Sequence, residues 1–160
     1  MKILGVDPAL SITGYGVIYA ENNKLSLLEA GIISTFPKEI LTRRLEKIYC
    51  GVIKLISDTC PDVLVLEKIY THYRHPTTAY LLGEARGVIC LACAEKNVPL
   101  VEYGATRVKK AIVGRGLASK QQVQRMVASV LKLNSVPKYT DVTDALALAI
   151  AHSYIMRSKI

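Results

Sequence analysis

KILGVDPALSITGYGVI, residues Lys2 to Ile18, decides the fold. Ile3, Leu4 and Val6 read as a buried strand, and the strand ends on a carboxylate, Asp7. Asp7-Pro8-Ala9-Leu10 then has turn chemistry. GYGVIYA (14 to 20) and KLSLLEAGIIST (24 to 35) read as two more strands. Asn22-Asn23 lies between them, and asparagine tolerates the positive φ of a tight hairpin. The chain therefore opens as a three-stranded antiparallel meander.

A second apolar run, VLVLE (63 to 67), ends the same way, on Glu67. Its continuous apolar character suits a central strand covered on both faces. Before it, Leu41, Leu45, Ile48, Val52, Leu55 and Ile56 recur at helical spacing and predict a helix over 39–59, with Pro61 just beyond. After it come a helix over 77–96 and a strand over 98–103, VPLVEY. Helix, strand, helix, strand implies parallel crossovers. Three helical pieces follow. Residues 105–113 end at Gly114, a natural helix stop. Ser119 caps the next helix, with Gln122 placed for a capping box. The last runs from about Thr140 to Met156. The expected fold is α/β: a mixed five-stranded sheet with helices on both faces, in a single domain spanning 1–160.

Composition narrows the class. Apolar residues make up 51% of the chain, which excludes a disordered protein. No apolar run reaches the ~20 residues that span a bilayer, so no membrane association is expected. The chain enters a strand at once, so no signal peptide is expected and the location read is cytoplasmic. The four cysteines are then reduced thiols. Cys90 and Cys93 form a C-x-x-C inside a helix, with no second pair and no spaced histidine to complete a zinc site, so they read as buried thiols. A net charge of +8 points to a polyanionic partner, nucleic acid or an anionic surface.

In a parallel part of a sheet, neighbouring strands end on one edge. If the strands of Asp7 and Glu67 are adjacent, two carboxylates meet there, repel, and call for a hard divalent cation. TDVTDALALAIAH (140 to 152) adds Asp141 and Asp144, three residues apart on one helical face. Each acid has an ordinary structural use. Asp7 can cap its turn, Glu67 can pair with a lysine, and Asp141 can be an N-cap with Asp144 in the first turn. Four carboxylates without a histidine together favour Mg²⁺ or Mn²⁺ over zinc, and in-line displacement at a phosphate. Lys109, Lys110, Arg115, Lys120 and Arg125 cluster around Gly114-Arg115-Gly116. The glycines allow close backbone approach, and the helix beginning at Ser119 offers N–H groups to a phosphate.

GVDPALSITGYGVI, Glu67, LLGEARGVI (81 to 89), VKKAIVGRGLASKQQVQRMV (108 to 127) and DVTDALALAIAH (141 to 152) together resemble the RuvC family of Holliday-junction resolvases, nucleases of the RNase H-like superfold. The match covers nearly the whole chain in order. The resemblance puts the family carboxylates on Asp7, Glu67, Asp141 and Asp144, and the phosphate-contacting bases on Lys109 and Lys120. Tyr70 stands where the family commonly has a phenylalanine that wedges into bases at the crossover; a tyrosine ring can also stack on a base. THYRHPTT (71 to 78) departs from the family pattern by one extra residue and carries His72, Arg74, His75 and Pro76, in a loop expected to face DNA. Arg74, Arg115 and Ser119 complete the expected DNA-binding set.

The resemblance implies an endodeoxyribonuclease that resolves four-way DNA junctions and leaves 5′-phosphate and 3′-hydroxyl ends. It implies two Mg²⁺ ions per site, with Mn²⁺ able to substitute. It implies a homodimer whose two sites cut opposed strands, working with the RuvAB branch-migration complex. The helix over 77–96 is the candidate interface, through Tyr80, Leu81, Gly83, Gly87 and Ala92. Competing readings are a nuclease of the same superfold acting on RNA, as in YqgF-like relatives, and a non-catalytic junction-binding protein. A sugar-kinase or actin-like ATPase also begins with a strand-end Asp and a hairpin, but 160 residues leave no room for its second domain.

Overall fold

The computed structural model describes residues 1–68 and 76–158. Along the chain run β1 (Lys2–Asp7), β2 (Ile12–Glu21), β3 (Lys24–Ser34), α1 (Leu41–Thr59), β4 (Val63–Glu67), α2 (Pro76–Glu95), β5 (Leu100–Tyr103), α3 (Ala105–Val113), α4 (Lys120–Val130) and α5 (Thr140–Arg157). The strands form one sheet in the order β3-β2-β1-β4-β5.

The meander forms as the turn chemistry requires. Asn22 and Asn23 take φ of 44° and 66°, the left-handed pair of a two-residue hairpin. A bulge between Val17 and Ile18 shifts the β2–β3 register. β1 pairs antiparallel with β2 and parallel with β4, and β4 pairs parallel with β5. The strand that opens the chain thus ends up in the middle of the sheet, where a polar interior would be costly, and Ile3, Leu4 and Val6 are fully buried.

Strand alternation divides the core into two layers. Ile3, Ile18, Val63 and Val65 face α3, α4 and α5. Leu4, Val17, Leu64 and Leu66 face α1 and α2. α5 is buried on almost every side, from Val142 to Ile155, and lies directly on β1 and β2. Glycines let it do so. A β-carbon on Gly5 would fall 2.0 Å from the Ala145 carbonyl oxygen, and one on Gly16 2.3 Å from the Leu146 side chain.

Three details refine the sequence reading. β5 starts at Leu100 instead of 98, because the Val98 amide donates to the Cys93 carbonyl and Asn97 takes a left-handed φ of 54°, so both belong to the exit of α2. Tyr139 occupies the N-cap of α5, so Asp141 sits inside the first turn and is not its cap. Thr13 closes the turn after Asp7: its hydroxyl donates to the Ala9 carbonyl at 2.7 Å. All four cysteines are free. Burial pushes the Cys93 thiol up to about 11, Cys90 is half-buried, and Cys50 and Cys60 are exposed. Among the described residues no helix is long and apolar enough to cross a membrane.

Candidate active site

The parallel register of β1 and β4 runs from Ile3–Val63 to Val6–Leu66. One step further sets Asp7 beside Glu67. Alternation turns both side chains to the face that carries Gly5 and Val65, the face covered by α5. The first turns of α5 bring Asp141 and Asp144 to the same edge.

The electrostatics report that meeting. Burial, and then the carboxylates of Asp144, Asp141 and Glu67, raise the Asp7 carboxyl to about 7, with Lys120 opposing them. Glu67 is raised by burial and by Asp144, against the pull of Lys109 and Lys120. Lys120 Nζ lies 2.6 Å from Asp144 Oδ2, and this hydrogen bond holds the ammonium above its ordinary pKa. A cleft of about 170 Å³ opens over these groups, bordered by Glu67, Lys109, Lys120 and Asp144 on a floor that includes Val108 and Leu148.

In kind, four carboxylate side chains suit a hard, oxygen-seeking cation. Among the described residues, however, no three His, Cys, Asp or Glu side chains are arranged as a ready-made ligand cluster. Lys120 is the present counter-charge of Asp144. A divalent ion would fit the donor set with that ammonium turned aside, and it would offset the carboxylate repulsion that adds to burial in raising Asp7.

The basic residues fall around one mouth. Lys109 projects from the last two turns of α3 and Lys120 from the first turn of α4, and both line the cleft. Gly114 terminates α3 with φ of 78°, and Arg115 is exposed on the turn that follows. Ser119 forms the capping box expected from the sequence. Its hydroxyl accepts from the Gln122 amide at 3.2 Å, while its own amide donates to Gln122 Oε1 at 2.8 Å. The capping box therefore uses the Ser119 and Gln122 amides, two of those read as free for a phosphate. Tyr70 and Arg74, with His72 and His75, lie outside the described residues.

Of the interface candidates on α2, Tyr80 (64% exposed), Gly83 and Gly87 share an outward stripe with Leu91, and the two glycines face open space. Leu81 is half-buried against the α1 layer. Ala92 is a correction: it is fully buried among Ile48, Val52 and Ile89, so it serves the chain's own core.

Two features escape a sequence reading. Gly14 pairs with Asp7 and lies under the Asp141 backbone, where a β-carbon would come within 2.2 Å of the carbonyl. The period-two glycines in Thr13-Gly14-Tyr15-Gly16 are the signal that could have located this seat. Arg86, on α2, donates from Nη1 to the Glu67 carbonyl at 2.9 Å and pairs with Glu102; nothing in its sequence context marks it.

Sheet order, the acid-bearing edge and the helix that crosses it define an RNase H-like α/β fold. Residues 3–152 match the family model of the crossover junction endodeoxyribonuclease RuvC. The RuvC of Rhodopirellula baltica is 44% identical over 158 residues, 99% of this chain and 89% of that protein. The Thermus thermophilus RuvC structure superposes with a TM-score of 0.92 at 32% identity, covering 99% of this chain and 97% of the other. T. thermophilus RuvC in complex with Holliday junction substrate matches with a TM-score of 0.91 at 30% identity, over 99% and 96%. The chain belongs to the RuvC family of crossover junction endodeoxyribonucleases.

Proposed function

We propose that this chain is a single-domain, divalent-metal-dependent endonuclease that resolves four-way DNA junctions by paired, symmetric cuts. The observation that carries the reading is the electrostatic coupling of Asp7 to Asp144, Asp141 and Glu67 beside a cleft bordered by Glu67 and Asp144, with Asp7 raised to about 7. Family membership supplies the substrate, through relatives named as crossover junction endodeoxyribonucleases and one solved with a Holliday junction.

Asp7 and Glu67 come from the sheet and Asp141 and Asp144 from α5, so the four acids are the residues that would hold two Mg²⁺ ions, and Mn²⁺ has the same ligand preference. When bound, such ions would supply Lewis acidity for in-line displacement at the phosphate. Lys109 and Lys120 place the scissile phosphate at the mouth, and Arg115 holds the backbone further along. Lys120 leaves Asp144 as phosphate and metal enter, so the ammonium exchanges a carboxylate partner for a phosphate one. Tyr70 and Arg74 act at the crossover.

A four-way junction has two-fold symmetry, and a dimer built on one isologous face would present two sites to opposed strands. The stripe Tyr80-Gly83-Gly87-Leu91 is the face assigned to it. The protein works in the cytoplasm, with RuvAB as its branch-migrating companion.

The test is cleavage of an end-labelled mobile four-way junction in Mg²⁺ by the wild type beside Asp7→Asn. Symmetric nicks from the wild type alone are the expected result. Binding without cleavage in Mg²⁺ or Mn²⁺ would reduce the protein to a junction binder, and absence of both would turn attention to RNA.

A further inference from the structure

Arg86 stands behind the sheet, on the face opposite the cleft. Its side chain is 14% exposed and its guanidinium serves two acceptors. Nη1 donates to the main-chain carbonyl of Glu67 at 2.9 Å, and Nη2 pairs with the carboxylate of Glu102 on β5. In the β4–β5 ladder Leu66 faces Glu102 and Glu67 faces Tyr103. The last ladder bond, from the Lys68 amide to the Tyr103 carbonyl, is 2.9 Å long. The fork therefore grips the final rung of the strand pair, at the residue whose carboxylate turns into the cleft. Among the described residues this is the last rung: the Glu67–Lys68 peptide is held through its N–H by Tyr103 and through its carbonyl by Arg86.

We propose that Arg86 is a positioning residue for Glu67, setting the orientation of its carboxylate through the main chain and never touching DNA. The proposal rests on the reading of Glu67 as a metal-holding acid. Its chemistry explains the residue type. A guanidinium reaches two acceptors with parallel N–H groups from one rigid plane, whereas an ammonium on a flexible stem keeps the charge but not the fork. Glu102, 37% exposed on its side chain, keeps the guanidinium paired and aimed.

The experiment uses the full chain with Arg86→Lys, Arg86→Met and Glu67→Gln. Three quantities are measured: junction affinity without metal, the single-turnover cleavage rate against Mn²⁺ concentration, and the rise in Tm that Mn²⁺ induces. Arg86→Lys is expected to bind junctions like the wild type and to cut about 10- to 100-fold more slowly, the scale of a misplacement near 1 Å. It should need more Mn²⁺ for half-maximal rate and for half of the Tm rise, with high Mn²⁺ recovering part of the rate. Arg86→Met should show the same pattern more strongly; if it does not fold, Arg86→Lys, which keeps the Glu102 pair, carries the decision. A folded Arg86→Lys with wild-type rate and wild-type Mn²⁺ dependence overturns the proposal. So does a rate loss matched by lost junction affinity. Glu67→Gln separates the two levels. If it loses both cleavage and the Mn²⁺ response, the reading of Glu67 stands and Arg86 is judged alone. If it retains both, that reading falls and the proposal with it.

Discussion

Gly14 lies beneath the backbone of Asp141, so close that a β-carbon on it would sit 2.2 Å from the Asp141 carbonyl. Gly14 is also the ladder partner of Asp7. The spacing between a sheet carboxylate and a helix carboxylate is therefore set by the lack of one methyl group. Gly14→Ala should lift the start of α5, cost about 1–3 kcal/mol as overpacking, and weaken cleavage by more than it weakens junction binding. Calorimetry and single-turnover cleavage check this together.

The proton on Asp7 gives a pH signature. In the metal-free fold the carboxyl holds its proton up to about 7, whereas its ordinary value is 3.8. Between those values the folded state binds the extra proton, so stability in a chelator should fall as pH rises from about 4 to about 7 and stay level above. Asp7→Asn removes that slope and should be the more stable protein at pH 8, by up to a few kcal/mol. A wild-type Tm without a slope over that range argues against the buried cluster. In cleavage, protonation of Asp7 opposes metal binding, and raising Mg²⁺ should move the acid limb to lower pH.

Lys109 and Lys120 border the same cleft and both pull on Glu67, but Lys120 also pairs with Asp144 and pulls on Asp7. Each lysine that neutralises a phosphate adds about 0.9 to the steepness of log affinity against log salt, so Lys109→Ala and Lys120→Ala should each make that slope shallower by this amount. Only Lys120→Ala also removes a charge that lowers the Asp7 pKa, and only it should push the acid limb of cleavage upward in pH. Identical pH profiles for the two variants would remove Lys120 from the acid cluster.

The outward stripe of α2 predicts the assembly. Gly87 faces open space, so Gly87→Glu leaves the fold intact while placing a charge, twice over, on a two-fold face. Sedimentation should find a dimer for the wild type and a monomer for the variant, with cuts no longer paired on opposed strands. A wild-type monomer at micromolar concentration rules out the interface.

The elements that the sequence discloses are those written in short-range chemistry. Asn22-Asn23 must turn, Ser119 and Gln122 must cap, and apolar runs that stop on an acid must put that acid at a strand end. Alternating helices and strands imply parallel crossovers, but the adjacency of β1 and β4 enters the sequence reading only as a condition, and the register supplies it. Less visible is what depends on a neighbour remote in the chain. α2 is apolar on most sides, so period alone could not separate Ala92, in the core, from Gly87, at the surface. Arg86 acquires its meaning only when β4 and β5 lie side by side.

The site is shared between a sheet and a helix that follows every strand of it, and this orders events in time. A chain growing from its N-terminus carries Asp7 and Glu67 long before it carries Asp141 and Asp144. Until α5 settles onto Gly5, Gly14 and Gly16, two acids face an open groove and the other two are elsewhere. A copy in which α5 has not docked therefore lacks half of the acids assigned to the site, which ties assembly of that acid set to completion of the α5-covered core.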